Sequence, residues 1–148
     1  MYLGFYRSAF RVKNRIAFPA RLRSETGDRL LITNWFEHSL LILPKKEWEK
    51  LTQEIFEKAS FLLPEIRDLD RFIYGGTFEI DLDQEGRFVL PAYLKEYAQI
   101  KKNVIFLGGA WYIQMWDEEL FENYQELNAL QIKEKAIKVF ESIQVQKK

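Results

Sequence analysis

Cysteine is absent from the chain, and histidine occurs once. The first absence removes disulfides, thiolate zinc sites and a cysteine nucleophile together. The second leaves His38 as the one imidazole, with no serine in a nucleophile-elbow pattern, so it reads as a loop or surface residue and not as a catalytic base. No apolar run approaches the roughly 20 residues that span a bilayer. The N-terminal MYLGFYRSAF lacks the apolar block of about 7–15 residues that marks a secretory signal. A cytoplasmic protein with no membrane partner is therefore expected. Net charge is missing too: 22 basic side chains face 22 acidic ones, and the pI is near 6.6. That balance argues against a chain coated by nucleic acid and leaves room only for a local basic face. The glycine pairs Gly75-Gly76 and Gly108-Gly109 are isolated, and the P-loop and dinucleotide patterns are absent. No cofactor, no small-molecule substrate and no enzymatic activity are expected.

What is present is apolar substance: 47% of 148 residues are hydrophobic and 16% aromatic. That suits one ordinary domain, or two small halves sharing a core. Tyr2 to Phe10 reads as a strand, Val12-Lys13-Asn14 as a turn and Arg15 to Phe18 as a second strand. Pro19 suits the start of a short helix, PARLRSE, which Gly27-Asp28 ends. RLLIT and LLIL are strands, and after Pro44 a helix places Trp48, Leu51, Ile55 and Phe56 at helical spacing. A second cycle starts near Arg71. There FIYGGTFEIDL reads as a strand, DQEG as a turn, RFVL as a strand and PAYLKEYA as a helix, followed by strands NVIFLG and WYIQMW. Asp117 is placed to cap a helix running towards Tyr124. A last helical segment carries Ala129, Ile132, Ala136, Val139 and Ile143 on one stripe.

The two cycles superpose. Shifting residues 4–23 by 72 aligns Gly4 with Gly76, Arg15 with Arg87, Pro19 with Pro91, Ala20 with Ala92 and Leu22 with Leu94. Phe10/Leu82, Ile16/Phe88, Phe18/Leu90 and Arg23/Lys95 match in type, and PKKEWEKL falls opposite DEELFENY. This internal repeat predicts an α+β fold of duplicated strand–turn–strand–helix units, each too short to close its own core. The expected divisions are residues 1–70, 71–124 and a helical tail over 125–148.

The second copy, LDQEGRFVLPAYLKEYA, resembles the D-x-x-G-R-x-x-x-P signature of the MraZ family, AbrB-like regulators of the bacterial division and cell-wall gene cluster. The first copy, FRVKNRIAFPARLR, stands where that family carries its other signature. The resemblance covers roughly residues 1–124. It implies an AbrB-like swapped-hairpin β-barrel with peripheral helices, ring-like homo-oligomers, and binding to short repeated sites in double-stranded DNA upstream of genes. In the second copy it makes Asp83, Gly86, Arg87 and Pro91 structural, as Pro19 is in the first. The first copy departs from the pattern: the family's aspartate is Arg11 and its glycine Asn14, while Lys13, Arg15 and Pro19 are kept. Asp83 can pair with Arg87 or accept turn N–H groups; Arg11 can do neither and adds repulsion to Arg15.

Charge divides between the copies. Residues 4–23 carry Arg7, Arg11, Lys13, Arg15, Arg21 and Arg23 and no acid, whereas residues 76–95 set Arg87 and Lys95 against Glu79, Asp81, Asp83 and Glu85. Solubility does not require that split. A basic turn on a strand pair can enter a major groove, where an arginine bonds guanine O6 and N7, and further cations meet phosphates. The expected DNA contacts are Arg15 and Lys13 on bases or nearby phosphates, with Arg11, Arg7 and Arg21 on phosphates. The competing reading is a solvated surface with Arg15 structural; the repeat and the resemblance favour DNA. Asp81-x-Asp83-x-Glu85-Gly86 mimics the start of a calcium loop, but position 12 is Ala92 after Pro91 and the flanks are strands, so no metal is expected. Trp35, Trp48, Trp111 and Trp116 lack the basic surroundings of a base-stacking platform. The expected function is sequence-specific transcription regulation on the nucleoid. The alternative is a protein-interaction module on the same fold, holding a partner through the helix over 129–143 or the acidic turn.

Overall fold

The computed structural model describes residues 1–146. Eight strands and six α-helices follow one another as β1 (Gly4–Ala9), β2 (Arg15–Ala17), α1 (Ala20–Thr26), β3 (Arg29–Asn34), β4 (Leu40–Pro44), α2 (Lys45–Phe56), α3 (Pro64–Gly76), β5 (Phe78–Asp81), β6 (Arg87–Val89), α4 (Ala92–Tyr97), β7 (Asn103–Gly108), β8 (Ile113–Asp117), α5 (Glu118–Ala129) and α6 (Ile132–Gln146). Pro19, Pro44 and Pro91 stand immediately before α1, α2 and α4. No described helix is long and apolar enough to cross a membrane.

Six antiparallel strands form a sheet in the order β1-β7-β8-β4-β3-β5, and β2 pairs with β6 in a separate ribbon. The order is palindromic under exchange of the two copies. The first strand of each copy pairs across with the other copy: β1 with β7, and β5 with β3. The second strands pair with each other, Ile16 opposite Phe88. The arms are therefore exchanged between the copies. The sheet itself is open, with β1 and β5 at its edges, in contrast to the closed barrel that the family resemblance implied.

Alternation along the central strands explains why both sheet faces are covered. Leu30, Ile32, Leu40 and Ile42 enter one core with Ile16, Phe18, Leu22, Phe88, Leu90, Leu94 and Phe106. Leu31, Leu41 and Leu43 point to the other face, onto Trp48 of α2 and Ile73 of α3. At Gly108 a side chain is excluded: an added Cβ would lie 1.3 Å from the Tyr2 carbonyl oxygen, so the chain start packs directly on the β7 backbone.

One expected strand is corrected. The FIYGG part of FIYGGTFEIDL is the end of helix α3, and only Phe78–Asp81 is strand. Pro64 opens that helix, and Leu69 and Ile73 at i, i+4 pack on the sheet. Thr33 Oγ1 donates to the Ile73 carbonyl (2.9 Å) and Asn34 Nδ2 to the Phe72 carbonyl (2.9 Å), tying the helix end to β3. Packing thus outweighs the local β-preference of Phe-Ile-Tyr.

The chain divides into two compact units, residues 1–118 and residue 119 onward. The second unit is helical. In it Lys135 Nζ donates to Asn128 Oδ1 (2.6 Å) across the α5–α6 corner. Ile132, Val139, Phe140 and Ile143 of α6 are exposed.

Candidate nucleic-acid interface

The exchanged arms produce two matching turns, residues 11–15 and 83–87. Each closes by the same backbone bond: the Arg11 N–H donates to the Arg15 carbonyl (2.7 Å), and the Asp83 N–H to the Arg87 carbonyl (2.9 Å). Each is also tied across the copies, the Leu90 N–H donating to the Asn14 carbonyl (3.2 Å) and the Phe18 N–H to the Gly86 carbonyl (2.9 Å). Because β2 and β6 run antiparallel, the turns leave the ribbon at opposite ends.

Inside, the turns are built differently. Asp83 Oδ1 accepts the N–H groups of Glu85 and Arg87, both at 2.9 Å. Those bonds, first that from Arg87, hold the Asp83 carboxyl below its ordinary value, and the charges of Arg87 and Arg15 act in the same direction. Gly86 takes the left-handed position at φ 78°. Arg87 folds onto its own turn, with Nη2 3.0 Å from Glu85 and Nε 3.6 Å from Asp83, although the buried Nε makes no hydrogen bond. In the first copy no carboxylate organises the turn. Instead Lys13 (φ 62°) and Asn14 (φ 56°) both enter the left-handed region, which disfavours a non-glycine residue by about 1–2 kcal/mol, less for asparagine.

Arg11, Lys13 and Arg15 are therefore brought together on one exposed turn. Arg15 lies on the outer side of the ribbon opposite Val89, while Ile16 is fully buried. Val12 stands at the tip, 83% exposed. Among the described residues, none of Arg11, Lys13, Arg15 and Arg21 forms an ion pair. Arg7 and Arg21 lie elsewhere. They line an open concavity with Phe5, Ser8, Pro19 and Glu85 of the acidic turn, and Arg7 is paired with Glu118.

Arg23, part of the basic run in the sequence, is committed to structure. Its Nε donates to Asp28 (2.7 Å), and its Nη2 to the Asp83 carbonyl (3.1 Å). Asp28 is held below its usual value chiefly by that Arg23 bond. His38 Nδ1 donates to the Tyr97 carbonyl (3.0 Å), so the imidazole fastens the β3–β4 hairpin to α4. Asp81 pairs with Arg29 and Glu85 with Arg87. No metal-binding cluster occurs among the described residues.

The arrangement offers three cations without ion pairs on a protruding turn, and no acid–base or nucleophilic group is assembled among the described residues. It is suited to polyanion binding. The family model described as MraZ protein, in words that liken it to antitoxins, matches residues 1–72 and again residues 73–141. A protein named Transcriptional regulator MraZ from Oenococcus oeni is 36% identical over 124 residues, covering 84% of this chain and 86% of that one. Its namesake from Leuconostoc citreum is 35% identical over 124 residues, with the same coverage of 84% and 86%. That from Heliobacterium modesticaldum is 31% identical over 141 residues, covering 95% of this chain and 98% of its own.

Proposed function

The chain belongs to the MraZ family, and from that premise we propose that it is a sequence-specific transcription regulator that grips double-stranded DNA with the turn Arg11–Arg15. The observation that carries the reading is the contrast between two turns of one backbone plan, one holding three unpaired cations and the other closed by its own carboxylates. Arg15 is the proposed base reader through guanine O6 and N7, worth about 1–3 kcal/mol of discrimination. Lys13 meets bases or phosphates, and Arg11 meets phosphates. Arg21, on the concavity beside the acidic turn, is proposed as an outer phosphate contact, and Arg7 as one that must exchange Glu118 for the phosphate.

One small turn binds weakly. A ring-like homo-oligomer that presents several turns to repeated sites raises the effective concentration of each later contact. The exchanged arms support a swapped-hairpin reading of the fold, and the open edges β1 and β5 support assembly between copies. The proposed setting is the cytoplasm, on the nucleoid, at sites upstream of division and cell-wall genes. The names of the relatives support regulation of transcription.

The test is a titration of the DNA upstream of its own gene at several salt concentrations, against scrambled DNA of equal length. Three or four phosphate contacts per protomer give a slope of log affinity on log salt of about −3 to −4, doubled when two protomers engage. Equal affinity for scrambled DNA removes sequence specificity from the proposal. A second reading, a protein-interaction module, is favoured by Leu130 in the turn between α5 and α6 and by Ile132, Val139 and Phe140 of α6, all more than half exposed. Capture of a partner that is lost on α6 substitution, with no DNA binding, would select it.

A further inference from the structure

The basic turn lacks both devices that shape its twin. It has no carboxylate to gather its N–H groups, and Asn14 stands where the acidic turn has Gly86. Two successive left-handed residues must then be held by something outside the turn. Among the described residues, the turn's side chains make one hydrogen bond, from Lys95 Nζ of α4 to Asn14 Oδ1 at 2.9 Å. The same ammonium lies 4.6 Å from the centre of the Phe10 ring, so its stem is fixed at the foot of the turn.

The matched position in the other copy behaves alike. Arg23, offset from Lys95 by the repeat shift, donates to the Asp83 and Gln84 carbonyls of the acidic turn at 3.1 and 3.4 Å. Each first helix thus sends one cation to the turn of the opposite copy. Glycine at 14 would offer Lys95 no side-chain acceptor, whereas asparagine both tolerates the left-handed region and supplies the oxygen.

We propose that Lys95 is a positioning residue for DNA recognition, replacing across the copy boundary the conformational control that the basic turn lost with its glycine and aspartate. The inference rests on the DNA-binding reading of residues 11–15. It assigns Lys95 to the turn's shape and not to a phosphate. Removing the bond lowers the fraction of turns in the binding-competent shape, and apparent affinity falls by that fraction.

The experiment is a two-by-two comparison in the full chain: Lys95→Met, which keeps the apolar stem, and Asn14→Gly, singly and together, with Lys95→Arg as the conservative control. DNA affinity is measured at several salt concentrations, and amide exchange of residues 12–15 and Leu90 is measured without DNA. Lys95→Met should weaken DNA binding about five- to tenfold, the worth of one hydrogen bond, with the salt slope unchanged. Its turn amides should exchange faster. Lys95→Arg should restore most of the affinity, and in the Asn14→Gly background Lys95→Met should change affinity less than about twofold. An equal loss in both backgrounds, or a salt slope reduced by about one, overturns the positioning role. Faster exchange in Lys95→Met, suppressed by Asn14→Gly, in a protein that binds no DNA overturns the DNA reading and leaves Lys95 as a brace only.

Discussion

Exchange of arms between the copies makes a prediction about cooperativity that Ile16→Ala tests. Ile16 is fully buried and sits opposite Phe88, where the two copies meet in the β2–β6 ribbon. The substitution removes three carbons, about 2.4 kcal/mol at about 0.8 kcal/mol each. The remaining cavity adds to this, for a total of about 3–4 kcal/mol. With a urea m-value of about 2 kcal/mol/M, the midpoint falls by about 1.5–2 M. The assay is urea unfolding by tryptophan fluorescence at fixed protein concentration, in two reporter backgrounds. One retains Trp35 and Trp48 of the first copy, the other Trp111 and Trp116 of the second. Since β1, β2, β5 and β6 all pair across the copies, both reporters should show the same shift. A shift seen by the first pair and absent from the second would mean that the copies unfold separately and would refute the exchanged pairing.

Gly108→Ala should destabilise the protein by several kcal/mol, because its Cβ would meet the Tyr2 carbonyl at 1.3 Å. Gly27→Ala should cost less, about 1–3 kcal/mol, since Gly27 at φ 79° and ψ −166° occupies a region essentially reserved for glycine but has open space around it. Thermal melts of the two variants side by side check the ordering. Asp83 and Asp28 both titrate below their ordinary values in the folded protein. Their contribution is therefore present above the unfolded carboxylate pKa of about 4 and is lost as pH falls through the folded values. Asp83→Asn should flatten the acid limb of the stability profile below about pH 4, and an unchanged limb would show that its N–H bonds contribute nothing there.

Much of this was readable from five identities at one offset. The matched prolines, the Arg15/Arg87 pair and the alternating Ile16/Phe88 fix the strand–turn–strand–helix unit in both copies, because they are local requirements of turn, strand and helix start. Which copy each arm pairs with is a non-local choice that no periodicity encodes. α3 was hidden by Phe72-Ile73-Tyr74, whose β-preference is local, while its helical state rests on Ile73 reaching Leu31, Leu41 and Trp48. The charge excess named the basic turn, yet it counted Arg7 and Arg23 as free cations. Their partners Glu118 and Asp28 become visible only once the chain is folded. Lys95 carried a readable signal, its match to Arg23, but its tie to Asn14 spans 81 positions.

The central claim is that the turn holding Arg15 binds DNA, and its most direct measurement is the affinity of Arg15→Ala for the upstream DNA, taken with the molar mass of the assembled protein. Loss of one guanine pair from each of two engaged turns, about 1–3 kcal/mol apiece, predicts at least about 30-fold weaker binding with the mass unchanged. Unchanged affinity in a correctly assembled Arg15→Ala protein would contradict the account.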